Sequence, residues 1–167
     1  DKSKLFFIFD GVNRIASVKK SDSTEYKTFF LHTDNVGSTS MVTSENGSQL
    51  YDVVQKIDYR SFGEIYQLWK DDVWTISKDI SGDIGGFTYT GQEMDTETDL
   101  YYYGARYYDS GSGRFISSDT EVPDPFDTQS FNRYSYCLNN PIKYNDPSGH
   151  EEAGAADRTS AGTGGGI

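Results

Sequence analysis

Residues 25–54 read EYKTFFLHTDNVGSTSMVTSENGSQLYDVV. Glu25–His32 is rich in Tyr, Phe and Thr, residue types that fit a pleated, half-buried surface. Thr33–Ser38 brings Asp, Asn and Gly together and reads as a turn. Thr39–Thr43 is the next strand, and Glu45-Asn46-Gly47 carries the type I′ hairpin signature. From Gln49 to Tyr59 the chain continues in strand-like alternation. Short strand, tight turn, short strand is the grammar expected of the whole region.

The same grammar extends in both directions. Upstream, Lys4–Phe9 is a strand closed by Asp10-Gly11, a strong turn dipeptide, and Arg14–Val18 follows. Downstream, Ser61-Phe62-Gly63-Glu64 punctuates the chain again. Gln67–Ile76 fits either a hairpin or a short helix, and residues 69–84 are expected to form an insertion at the surface. Hairpins in such a succession need not close into a sandwich. They can stack as a ribbon, each burying its face against its neighbours.

Composition supports an all-β chain. Thirteen Tyr, ten Phe and two Trp outweigh a sparse aliphatic set, and 17 Gly supply turns. The net charge of −11 argues against nucleic acid, which needs a basic face, and against an anionic membrane surface. Cys137 is the single cysteine, so no internal disulfide forms, and its apolar context reads as a small buried hydrophobe. His32 and His150 are the only histidines and lie far apart, which leaves a zinc site or a Ser-His-Asp triad little to work with. No metal or cofactor is expected. No apolar run approaches the ~20 residues that cross a bilayer. The chain begins at Asp1 with no leader, and is expected to be a piece of something longer.

From Phe87 onward the sequence becomes specific. FTYTGQEMD (87–95) leads to DLYYYGARYYD (99–109), then GRFISSD (113–119), NRYSY (132–136), NNP (139–141) and DPSG (146–149). This ordered string resembles the RHS repeat-associated core domain of bacterial Rhs polymorphic toxins and of Tc toxin C subunits. HTDNVGST (32–39) and YRSFGE (59–64) resemble the Tyr-Asp repeats that usually precede that core. The resemblance implies three parts. Residues 1–86 would be YD/Rhs-type β-repeats forming part of a spiral β-shell, and 87–150 a Tyr-rich core plug. Residues 151–167, rich in Gly, Ala, Ser and Thr, would be a flexible linker or the start of a variable C-terminal region.

The resemblance also implies an activity. In many such proteins the core cuts its own chain just past Asp-Pro-x-Gly by an aspartyl-protease-like reaction, releasing an effector held in the shell. Such a reaction needs two carboxylates close enough to share a proton. Residue by residue, the acids would be Asp119 and Asp146, assisted by Arg106, and the cut bond would join His150 to Glu151. Two departures from the pattern stand out. The first carboxylate is followed by Thr120 where the family usually has proline, and the Asp-Pro pair falls instead at Asp124-Pro125, making Asp124 the competing candidate. His150 stands where a leucine or methionine is common.

Simpler readings exist for each residue. Ser118-Asp119-Thr120 and the loop holding Pro147 and Gly149 are ordinary turn sequences, and Arg106 could stack on rings or pair with a carboxylate. Arg114 and Arg133 are expected to be structural, pairing with carboxylates or loop carbonyls, and Asn140-Pro141 to form the turn that leads to Asp146. The expected partners are the chain's own C-terminal effector and a secretion or toxin-complex component, with a bacterial, secreted or surface location. The competing function is a non-cleaving structural or adhesive module, with glycan binding on exposed aromatics as its variant.

Overall fold

The structure is a computed structural model. It describes residues 4–11, 13–21, 25–46, 49–76, 80, 86–120, 126, 128–150 and 153–154. Seven strands follow one another as a single antiparallel meander: β1 (Lys4–Asp10), β2 (Asn13–Lys20), β3 (Tyr26–Thr33), β4 (Thr39–Asn46), β5 (Gln49–Tyr59), β6 (Ile65–Lys70) and β7 (Val73–Thr75). Each neighbour in sequence is the neighbour in the sheet, as the hairpin grammar requires. Of the two readings left open for Gln67–Ile76, the hairpin is the one formed. It turns on Asp71 and Asp72, whose φ of 53° and 63° give the backbone hand of a type I′ turn. Short polar Asp tolerates that conformation better than most residues. Ile76 is exposed, whereas Ile80 returns to the core.

One face of the meander is apolar. Leu31 lies opposite Val42, and Ile57 opposite Leu68, while Phe29 sits between Ser17 and Ser44. Phe29, Val42, Ile57 and Leu68 are buried there. Five bulges or register breaks, one each between β1 and β2, β3 and β4, and β5 and β6, and two between β4 and β5, interrupt the pairing. Bulges of this kind bend a strand and increase its twist, which suits a ribbon that must curve.

A second, four-stranded sheet packs on this face: β8 (Glu93–Asp95), β9 (Leu100–Tyr102), β10 (Tyr107–Asp109) and β11 (Arg114–Phe115). Its strands are three residues or fewer, yet their register places Met94, Tyr101, Tyr108 and Phe115 in one row. All four are buried, and the neighbouring row of Glu93, Tyr102 and Tyr107 faces out. This period-2 segregation explains how a Tyr-Tyr-Tyr run can serve core and surface at once. Tyr103 and Tyr136 complete the buried cluster, with the Tyr108 and Tyr136 ring centroids 4.3 Å apart.

The tyrosines fasten the two sheets together through the turn between β5 and β6. Tyr89, Tyr101 and Tyr108 donate their hydroxyls to the carbonyls of Ser61, Gly63 and Phe62, at 3.2, 3.0 and 2.8 Å. Burial pushes all three phenols well above their usual range, so they remain protonated donors. Gly63 must be glycine. Its φ is +89°, and a Cβ there would lie 2.3 Å from the Tyr89 ring.

The end of the chain differs from expectation at one place. Ala153–Gly154 (β13) pairs antiparallel with Tyr144–Asn145 (β12), although residues from 151 on carry no apolar pattern. Ladder bonds use backbone groups alone, so Ala and Gly can pair without one. The rest of the tail lies outside the described residues. Among the described residues no helix is long and apolar enough to cross a membrane.

Candidate functional site

Three loops meet at the edge of the tyrosine plug. The first joins β9 to β10 and carries Arg106; the second follows β11 and carries Asp119; the third is Asp146–His150. Forty residues of sequence separate the most distant of them, yet they share one guanidinium. Nη2 of Arg106 lies 2.8 Å from Asp119 Oδ2 and 3.4 Å from Asp146 Oδ2. The two carboxylate oxygens are therefore separated by no more than 2.8 plus 3.4 Å. The three side chains are only 6%, 5% and 3% exposed.

Arg106 is fixed on every side. Its Nε donates to the Gly149 carbonyl and Nη1 to the Arg133 carbonyl, the latter at 3.1 Å. Its guanidinium carbon sits 3.6 Å from the centre of the Phe115 ring. The planar fork allows these contacts together: edge-on to two carbonyls and two acids, face-on to a ring. Stacking and carboxylate pairing, offered by the sequence as alternatives, both occur.

Asp146 organises its own loop. Its Oδ1 accepts from the backbone N–H groups of Ser148, Gly149 and His150, at 3.2, 2.7 and 3.1 Å. Pro147 has no N–H to compete, and stands exposed at the bend. Burial pushes the Asp146 carboxyl above its ordinary value, and this outweighs the N–H groups and Arg106, which pull the other way. A charge count points in the same direction. One arginine against two ionised acids leaves a buried negative charge, which a single proton on Asp146 cancels.

Gly149 is the close approach that holds the third loop against the first. Its φ is +82°, and a Cβ would meet the Tyr103 carbonyl oxygen at 2.9 Å and the Arg106 nitrogen at 3.2 Å. Both are backbone atoms in a turn tied by Tyr103 N–H to Arg106 O and by Ala105 N–H to Ser148 O. Gly149→Ala is expected to lower stability by about 2 kcal/mol or more, from the strained backbone and the forced separation. Urea unfolding measures it; an unchanged midpoint would mean the loops are not in contact.

Arg133 pairs with a loop carbonyl, one of the two kinds of partner named for it from the sequence. Its guanidinium donates through Nε to the backbone carbonyl of Asp119 at 2.6 Å, and through Nη2 to the same oxygen. Its own carbonyl accepts from Asp119 N–H at 2.8 Å. Because these are main-chain acceptors, no side-chain pattern announces them. Arg114 lies on the exposed side of β11, and its backbone bridges Ser135. Asn140 accepts through its carbonyl from the N–H groups of Lys143 and Tyr144, and Pro141 beside it is buried, forming the turn into β12. Cys137 is buried.

His150 supplies a contact the sequence did not indicate. Its Nδ1 lies 2.8 Å from Asp119 Oδ1, while its backbone N–H is on Asp146. One residue thus touches both acids. Glu151, on the other side of the expected cut, and Asp124, the competing carboxylate, lie outside the described residues.

Known proteins share this architecture. The family model of the teneurin YD-shell matches residues 1–142. The tRNA3(Ser)-specific nuclease WapA of Bacillus spizizenii is 32% identical over 124 residues, covering 74% of this chain and 5% of that protein. Toxin subunit YenC2 of Yersinia entomophaga is 37% identical over 90 residues, 53% of this chain and 9% of the subunit. Mouse teneurin-3 is 31% identical over 115 residues, 68% of this chain and 4% of its own length. Among solved structures, the TcdB2-TccC3 complex superposes with a TM-score of 0.64 at 24% identity, over 87% of this chain and 6% of that one. The chain therefore spans less than a tenth of each relative named. With a hairpin meander, a tyrosine plug and a match running through both, the chain belongs to the teneurin YD-shell family, within the Rhs/YD-repeat class.

Proposed function

We propose that this chain is the terminal shell-and-plug part of an Rhs-type toxin or related secreted or surface protein, and that the plug cuts its own chain once, after His150. The single observation that carries the proposal is the meeting of Asp119 and Asp146 on one guanidinium nitrogen. Asp119, with Arg106 at 2.8 Å, is the carboxylate; Asp146, pushed up by burial, holds the proton. Water attacks the His150 carbonyl carbon and gives a proton to Asp119. The carbon–nitrogen bond to Glu151 then breaks as that nitrogen takes the proton of Asp146. The products are a carboxyl at His150 and an amine at Glu151, one water consumed. The freed segment, in the longer protein, is an effector enclosed by the ribbon, and toxin-complex subunits are the partners that the relatives suggest.

A second reading is a wall that never cuts. It is favoured by the saturation of the acids, since Asp146 Oδ1 already accepts three backbone N–H groups and both Asp119 oxygens have partners. Intact mass of residues 1–167 after incubation separates the two. Scission gives a fragment ending at His150 and a second one beginning at Glu151. A chain that stays whole under all conditions tried, including the variants below, supports the inert wall.

A further inference from the structure

We propose that His150 is a latch on Asp119, so that the residue preceding the cut governs how fast its own bond is broken. This rests on the scission reading. The geometry is specific. Asp119 has two oxygens; Oδ2 is held by Arg106 at 2.8 Å, and Oδ1 by His150 Nδ1 at 2.8 Å. An ionised carboxylate only accepts, so the ring nitrogen facing it carries the proton. Each oxygen keeps a second lone pair, but two charge-assisted bonds draw charge from the carboxylate and the ring covers one side of Oδ1, so the latched Asp119 is a weaker base toward water. Scission is then faster once the imidazole has left Oδ1.

The surroundings allow that departure for His150 and forbid it for Arg106. The Arg106 side chain is 6% exposed and fixed by Phe115, Gly149 and Arg133; the His150 side chain is 36% exposed and has solvent to swing into. Its backbone stays tied to Asp146 while the ring moves, so opening the latch leaves the acid in place. The ring meets the Asp119 carboxylate; Arg106 lies on the other Asp119 oxygen, Arg133 on the Asp119 carbonyl, and Asp146 accepts from the His150 backbone N–H.

Replacing His150 tests the latch directly. His150→Leu keeps the bulk and removes the donor; His150→Asn keeps an N–H donor where Nδ1 stands. The leucine variant is expected to cut about tenfold faster than the parent, the effect of releasing one charge-assisted hydrogen bond, while the asparagine variant stays near the parent rate. A leucine variant as slow as the parent overturns the latch even though scission stands. If no chain cuts, the latch falls together with the scission reading. A second measurement needs no cutting. In an Asp146→Asn background, nitrogen shifts of the imidazole should show Nδ1 protonated. His32 is the only other histidine, so the assignment needs one variant. A neutral ring protonated at Nε2 alone sinks the proposal, since His150 would then donate nothing to Asp119 Oδ1.

Discussion

On the proposed scission, Asp119→Asn and Asp146→Asn are each expected to leave the chain whole under conditions in which the parent splits after His150. The two changes act on different steps. Asn at 119 cannot take the proton from water, and Asn at 146 cannot give one to the departing nitrogen. Each step is worth about 10²–10⁴ in rate, so either variant takes the reaction below what an overnight incubation reveals. The loss is larger than any folding effect explains, because asparagine keeps the shape and part of the hydrogen bonding: its side-chain oxygen can still accept from the Ser148, Gly149 and His150 N–H groups. Asp124→Asn is the control and is expected to cut like the parent. Intact mass reads all three. Should Asp124→Asn be the variant that stays whole, the assignment of Asp119 is wrong. Should all three cut alike, the two-acid mechanism is wrong.

Tyr136→Ala is expected to cost about 3–5 kcal/mol of folding stability. The ring is fully buried and touches Tyr89, Tyr103, Tyr108 and Phe115, so its removal opens a cavity at the centre of the plug. Tyr136→Phe isolates the other contribution. It removes the bond that Tyr103 donates to the Tyr136 hydroxyl at 3.0 Å and keeps the ring, at a cost of about 1 kcal/mol. Urea unfolding followed by circular dichroism gives both values. A phenylalanine variant as unstable as the alanine one would mean that the buried hydroxyl network, not ring packing, holds the plug. The same variants carry a functional consequence. Phe115 lies against both Tyr136 and the Arg106 guanidinium, so a collapsed cluster withdraws the support beneath the two acids.

The strands were the most legible part of the chain. Gln49–Tyr59 reads as a strand from its alternation and forms one over those same residues. Asp10-Gly11 reads as a turn and closes the first hairpin, with Gly11 at φ +62°. The information is local in both cases: a period of two residues and a glycine that tolerates positive φ. Trp69–Ile84 was less legible because its turn rests on two aspartates in a left-handed conformation, which Asp tolerates but does not announce. The short strands β9 to β11 lie below the length at which alternation can be seen at all. The Tyr101-Tyr102-Tyr103 run shows none, and only pairing with β8 and β10 decides which rings face in.

The candidate acids were legible for another reason. Asp119, Asp146 and Arg106 stand at fixed places in an ordered motif string, and that order survives in the one-dimensional sequence. What the string cannot hold is which atom meets which. The shared Arg106 nitrogen, the Arg133 grip on a main-chain carbonyl and the His150 ring on Asp119 join segments 13 to 40 residues apart through backbone and side-chain atoms together, without a pattern to read. By itself the sequence determined the all-β ribbon, its turns and the residues worth watching, because short-range periodicity and turn chemistry are written residue by residue. Only the tertiary structure decided that two buried acids share one cation and that an imidazole covers one of them, because such contacts depend on where three loops are brought to rest by a core of tyrosines.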